Sequence, residues 1–125
     1  MAHEYPGQMV TLAASTDLTG AQYTFVDVGT DGRLIAPTTG GAVYGILQNK
    51  PLEDQAGTVM LNGISKLLTD ATTMSVGDLV ATSTAGYGVA PTTANEDQVV
   101  GRVVGGTSGS TGRKLSVQIT SIGRS

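Results

Sequence analysis

The chain has 125 residues, the size of one ordinary domain, and the absence of cysteine excludes disulfides, thiolate nucleophiles and cysteine metal sites. The net charge is −3, so the basic surface that phosphate contacts require is not expected, and neither is nucleic acid as a partner. Charged residues make up 14% of the sequence, against roughly 25% in typical domains, so much of the surface is neutral and costs little to bury against another protein.

The N-terminal segment differs from the rest of the chain. It has no basic stretch followed by an apolar one, so no secretory signal is expected in this form of the chain. No apolar run is long enough to cross a bilayer, so a membrane is not an expected partner. Pro6 and Gly7 precede the first alternating pattern, which predicts an extended arm over residues 1–7 and a single β domain over residues 8–125.

The predicted arm is also the predicted partner-binding site, formed by His3, Glu4, Tyr5 and Pro6. Tyr5 is the expected anchor, because an aromatic ring buries a large apolar area while its hydroxyl group can still form a hydrogen bond. The alternative is a terminus that is simply frayed.

Short runs rich in Val, Ile, Leu and Thr follow along the chain, separated by many of its 18 glycines. The clearest runs alternate with period two, as half-buried strands do. Leu115, Val117 and Ile119 show this pattern, and Tyr23 and Phe25 show it nearer the start. In chain order, strands are predicted over residues 8–13, 24–28, 33–36, 42–48, 58–61, 64–68, 79–82, 87–90, 98–104 and 115–120.

Glycine-containing dipeptides predict the turns. Asp31-Gly32 predicts a hairpin between the second and third of these strands, and Asn62-Gly63 predicts one between the fifth and sixth, because both pairs accept positive φ angles. Ala85-Gly86 separates the seventh strand from the eighth. Many short strands without intervening helices predict an all-β fold, namely a small single-domain β-barrel or sandwich of short strands with an extended N-terminal arm.

Few residues are suited to catalysis. A single histidine, His3, excludes by count a Ser-His-Asp triad in the body and any site with several histidines. The Gly-rich segment over residues 105–112 lacks the spacing of a phosphate-binding loop. Several carboxylates stand where turns need them, so we predict no enzymatic activity, no cofactor and no metal site. These carboxylates are Asp31, Asp54, Asp78, Glu96 and Asp97.

From Gly45 onward, the sequence resembles the small capsid decoration proteins, or cement proteins, of tailed bacteriophages. The order of several short motifs carries the resemblance, while residues before Gly45 and the segment 105–112 depart from it. The motifs are Tyr44-Gly45-Ile46-Leu47, Ala56-Gly57-Thr58-Val59, the strand pair ending at Leu67, Met74-Ser75-Val76-Gly77-Asp78-Leu79-Val80, Ser83-Thr84-Ala85-Gly86, Val100-Gly101-Arg102-Val103 and Leu115-Ser116-Val117-Gln118-Ile119.

This resemblance implies a structural virion protein on the outer capsid surface. Its implied partners are the major capsid protein and further copies of itself in a homotrimer, and its implied function is to cement neighbouring capsid subunits. Such a protein needs no reactive group, since several weak contacts acting together give durable attachment.

Three other functions stay open. One is an accessory β-barrel module for adhesion or carbohydrate binding on a virion or cell surface, although aromatic residues are only 4% of the chain. Another is an enzyme that uses carboxylates alone, and a third is a lipoyl-type carrier, for which no Asp-Lys-Ala hairpin tip is present.

The tyrosines are possible interface anchors, but half-buried core positions are the commoner outcome. They are Tyr5, Tyr23, Tyr44 and Tyr87.

Overall fold

The computed structural model describes residues 5–37, 41, 43–70, 74–91, 98–106 and 114–124. These residues form eleven β-strands. The strands are β1 (Tyr5–Pro6), β2 (Met9–Ala13), β3 (Phe25–Val28), β4 (Leu34–Ile35), β5 (Gly45–Leu47), β6 (Ala56–Met60), β7 (Gly63–Leu68), β8 (Leu79–Thr82), β9 (Gly88–Val89), β10 (Gln98–Gly106) and β11 (Lys114–Arg124).

The strands form two antiparallel sheets that pack as a sandwich. The first sheet has six strands in the order β1-β7-β11-β10-β8-β9, and the second has five in the order β2-β6-β5-β3-β4. The predicted all-β class is confirmed, and of the two architectures that the sequence left open the chain adopts the sandwich. Among the described residues there is no helix with the length and hydropathy of a membrane span.

Two of the three predicted turns are hairpins. Gly32 has a φ of 79° in the turn between β3 and β4, and Gly86 has a φ of 84° between β8 and β9. Both pairs of strands are antiparallel neighbours. The hairpin predicted at Asn62-Gly63 is wrong, because β6 belongs to the second sheet and β7 to the first. Gly63 does have a positive φ, 96°, but the turn carries the chain from one sheet to the other.

At this turn, a bent ribbon of two paired chain segments passes from one sheet to the other. β1 pairs with β7 in the first sheet, and β2 pairs with β6 in the second. The register is the same on both sides of the bend, since Tyr5 pairs with Ile64 and Met9 pairs with Met60. At the bend, the Leu61 N–H donates to the Gln8 carbonyl at 2.8 Å. The ribbon therefore joins the two sheets without a break in pairing.

An amide side chain completes the bend. The Gln8 N–H donates to Asn62 Oδ1 at 2.8 Å, so the backbone donor left over where the sheets diverge is satisfied. Gly7 lies directly against Asn62, and an added Cβ at Gly7 would lie 2.7 Å from the Asn62 carbonyl oxygen. Only glycine leaves room for so close an approach of two backbones.

The main core lies between the sheets. From the second sheet, Phe25, Ile46 and Met60 point into it and are fully buried. They meet alternate apolar residues of the first sheet, including Leu67 and Val117. Each such side chain contributes roughly 1.5–3 kcal/mol by its burial.

A second core lies on the other face of the second sheet. Val26, Leu47 and Val59 point into it, each next in sequence to a residue of the main core. Ala14 and Leu18, from the segment between β2 and β3, cover this face and are buried. The second sheet is thus covered on both faces, which explains its continuous apolar runs.

Candidate interaction surfaces

The predicted partner-binding residues lie only partly within the described chain. His3 and Glu4 fall outside it, whereas Tyr5 and Pro6 form β1 and pair with Ile64 and Gly63 of β7. Their backbone is therefore part of the first sheet. The role of residues 1–7 as a partner-binding arm stays a prediction.

β1 is the terminal strand of the first sheet, so one of its sides has no strand partner among the described residues. Such an edge is a place where a strand of another protein can add to the sheet. Pro6 lacks an N–H group, and proline on edge strands limits uncontrolled pairing of this kind. Within the described residues, the paired part of this edge strand consists of Tyr5 and Pro6.

Exposed apolar side chains gather at one end of β8 and β10, which we call the β8/β10 corner. Leu79 pairs with Arg102, and the Val103 N–H donates to the Asp78 carbonyl at 2.9 Å. The tight turn before β8 is closed by the Ser75 N–H, which donates to Asp78 Oδ2 at 2.8 Å. The residues that form the corner are Val76, Leu79, Arg102 and Val104, with exposures of 66% for Val76 and 38% for each of Leu79 and Val104.

The carboxylates that the structure describes serve mainly in turns, as predicted for Asp31 and Asp78. Asp31 Oδ1 accepts from the Arg33 N–H at 3.0 Å. Asp54 lies in a loop with a φ of 67° and forms an exposed ion pair with Arg33. Glu96 and Asp97 lie outside the described residues. Within the described ranges, no three His, Cys, Asp or Glu side chains are grouped to hold a metal ion.

Asp17 is a turn carboxylate that the sequence did not single out. Its Oδ1 accepts from the Thr19 N–H at 2.9 Å and from Thr19 Oγ1 at 2.7 Å. These hydrogen bonds lower the pKa of Asp17 below the ordinary value of 3.8, and the bond from the backbone has the larger effect. The carboxylate is exposed, so this is a local turn and not a catalytic environment.

The tyrosines of the body are half-buried, as expected for Tyr23, Tyr44 and Tyr87. Tyr44 packs against the second core. Tyr23 was expected to alternate within a strand but instead precedes β3, with a φ of 64° that non-glycine residues rarely adopt.

No protein-family model matches this sequence, and no curated protein matches it. Among solved structures, the chain is similar to the N base of the head fiber protein gp8.5 of bacteriophage phi29, with a TM-score of 0.66 and 15% sequence identity. The similarity covers 90% of this chain and 93% of that one. At this identity the two proteins share a fold, and the similarity to decoration proteins in particular stays a prediction.

Proposed function

We propose that this chain is a structural protein of a phage virion that binds the major capsid protein on the outer capsid surface and cements neighbouring subunits. The main support is the fold shared with the N base of a phage head fiber over nearly the whole length of both chains. A similarity of that extent relates the whole sandwich, including both sheets, and not a single motif.

The β8/β10 corner supplies a contact surface with suitable chemistry. Exposed apolar side chains that lie together are typical of protein-binding sites, and arginine is enriched at interfaces. Arg102 stands beside Leu79 in the corner. Its Nε donates to the Gly77 carbonyl at 3.3 Å, which holds the guanidinium group at the surface. We propose that this corner faces the capsid.

We propose further that three copies act together, as the resemblance to decoration proteins implies. Identical head-to-tail contacts close into a ring when three copies meet around an axis. Each copy then needs only a modest contact with the capsid, because multivalency converts modest contacts into durable attachment. The low charge density of 14% keeps the desolvation cost of these contacts small.

The test mixes the purified protein with capsids that lack it and measures co-sedimentation, followed by electron cryomicroscopy of the bound particles. Val76→Asp places a charge in the corner and is expected to weaken binding about tenfold. Leu52→Asp is the matched control, because Leu52 is a loop residue with 49% exposure outside the corner. It is expected to leave binding within about twofold of the unmodified protein.

The outcomes separate the possible functions. Bound copies in threefold clusters, together with a higher disruption temperature of the capsid, would support cementing. Because the similar structure is the base of a head fiber, a second candidate is anchoring of a projecting segment, which predicts attachment without a change in disruption temperature. A failure to bind any capsid, combined with specific retention on a glycan array, would overturn both and favour the adhesion module.

A further inference from the structure

The chain has three lysines, Lys50, Lys66 and Lys114, and the fold brings all of them to one place. They come from the loop after β5, from β7 and from the start of β11. A pocket of about 250 Å³ opens there. We call it the lysine pocket, and its lining includes Thr19, Gly20, Tyr23, Lys50, Leu68 and Lys114.

Tyr23 is held rigidly in this pocket by both sheets. Its N–H donates to the Leu47 carbonyl of the second sheet at 2.7 Å, and its carbonyl accepts from the Leu68 N–H of the first sheet, also at 2.7 Å. These bonds hold the residue at a φ of 64°, a conformation that costs energy for any residue with a side chain and is often found at functional sites.

Two of the lysine ammonium groups lie over the ring of Tyr23. Lys66 Nζ lies 5.6 Å from the ring centroid, and Lys114 Nζ lies 5.7 Å from it. Each ammonium group is attracted by the negative face of the ring. The two groups repel each other, however, and the ring carries no net charge to neutralise them.

In the described part of the chain, no carboxylate forms an ion pair with a lysine of the pocket. The ion pair found there joins Arg33 to Asp54, and none of the lysines takes part in one. Two carboxylates lie two residues from the pocket lining in sequence, that of Asp17, to which Thr19 donates two hydrogen bonds, and that of Asp70, two positions after Leu68. Among the described residues, three positive charges that take part in no ion pair thus converge, in a protein whose net charge is −3.

We infer that the lysine pocket binds carboxylate side chains of an acidic segment in a partner protein. The identity of the partner as a protein rests on the function proposed above. Converging ammonium groups favour an anion, while Leu68 and Gly20 in the lining offer apolar contact to the methylene groups of a glutamate side chain. A sugar is disfavoured, because ammonium groups and not open space flank the ring on which it would stack.

The test titrates a hexaglutamate peptide into the full chain and follows amide and lysine ammonium signals by NMR. Saturable shifts are expected at Thr19, Gly20, Tyr23 and Leu68. Lys66→Gln and Lys114→Gln each retain most of the side chain but remove one charge. Each is expected to weaken binding about three- to tenfold, and the effect is expected to shrink as salt is added.

Arg33→Gln is the matched control. It removes one positive charge from the loop between β3 and β4, at a residue that pairs with Asp54 and lies outside both the pocket lining and the β8/β10 corner. It is expected to leave peptide affinity within about twofold. An equal loss in this variant would overturn the inference, because it would indicate general attraction by net charge.

Three further outcomes are decisive. Inorganic phosphate that saturates the pocket at lower concentration than the peptide would overturn the assignment to carboxylates. Capsid binding by the protein with no peptide shifts at the pocket would overturn the inference and leave the proposed function standing. Peptide binding in the pocket without capsid binding would support the site and overturn the proposed function instead.

Discussion

The bend of the ribbon between the sheets predicts a large effect from a very small substitution. In Gly7→Ala, the added methyl group would meet Asn62 Oδ1 and would lie 2.7 Å from the Asn62 carbonyl oxygen. Rotation of the Asn62 side chain relieves the first contact but breaks the hydrogen bond to the Gln8 N–H. The second contact is with backbone, so it is relieved only if the two segments move apart.

The magnitude follows from these two costs. Loss of the hydrogen bond costs about 1 kcal/mol, and separation of the packed segments costs about 1–3 kcal/mol. The free energy of unfolding should therefore fall by about 2–4 kcal/mol. For a domain of this size that lowers the melting temperature by about 8–15 °C.

Thermal melting by circular dichroism, together with urea titration, measures the effect. Gly20→Ala is the control, because an added Cβ at Gly20 has no atom within 4 Å. The melting temperature of the control should stay unchanged or rise slightly. If Gly7→Ala melted together with Gly20→Ala, the close approach at the bend would not exist in solution. Asn62→Ala in the Gly7→Ala background separates the costs, since it removes the Oδ1 contact but leaves the carbonyl contact.

Three further predictions concern the core, a turn and acid. Phe25→Ala empties a fully buried position between the sheets and should lower the free energy of unfolding by about 3–5 kcal/mol in urea titration. Gly86→Ala should lower the melting temperature, because the residue has a φ of 84° and its Cβ would meet the Phe25 carbonyl oxygen. By NMR, the Asp17 carboxyl should titrate below the ordinary range of an aspartate, because the hydrogen bonds from Thr19 lower its pKa. Because these hydrogen bonds favour the ionised carboxylate, they stabilise the fold above the unfolded-state pKa of Asp17, and this stabilisation is lost as pH falls through the folded-state pKa. Thr19→Val removes the hydrogen bond from Oγ1 and should therefore raise the titration midpoint.

The sequence predicted strands well where one face is apolar and the other is polar. Leu115, Val117 and Ile119 are buried and Gln118 on the other face is exposed, although Ser116 on that face is buried as well. The alternation proposed at Tyr23 failed, because the segment there is a turn that links both sheets. Local pattern does not show such a link, since it depends on hydrogen bonds to Leu47 and Leu68, which are distant in sequence.

Turn chemistry predicted the backbone conformation more reliably than the pairing. Gly63 has the positive φ that its sequence indicated, yet the strands on either side enter different sheets. A dipeptide reports the shape of the turn, whereas pairing depends on which faces the flanking strands bury. The lysine pocket was missed for a related reason, because Lys50, Lys66 and Lys114 converge only through tertiary structure.

The unbroken ribbon also has a consequence for the order of folding. The two paired segments of the ribbon, around Gln8 and Leu61, are separated by about 50 residues of chain. Closing so long a loop is slow, because its entropic cost precedes any gain from contacts. We therefore expect β1 and β2 to dock late, after the neighbours of β6 and β7 have formed. Until then β7 and β6 are edge strands of their sheets. During that interval, β1 and β2 of one chain can pair with these vacant edges of another chain. Pulsed hydrogen exchange during refolding would show this as delayed protection of the Leu61 N–H relative to amides of β10 and β11.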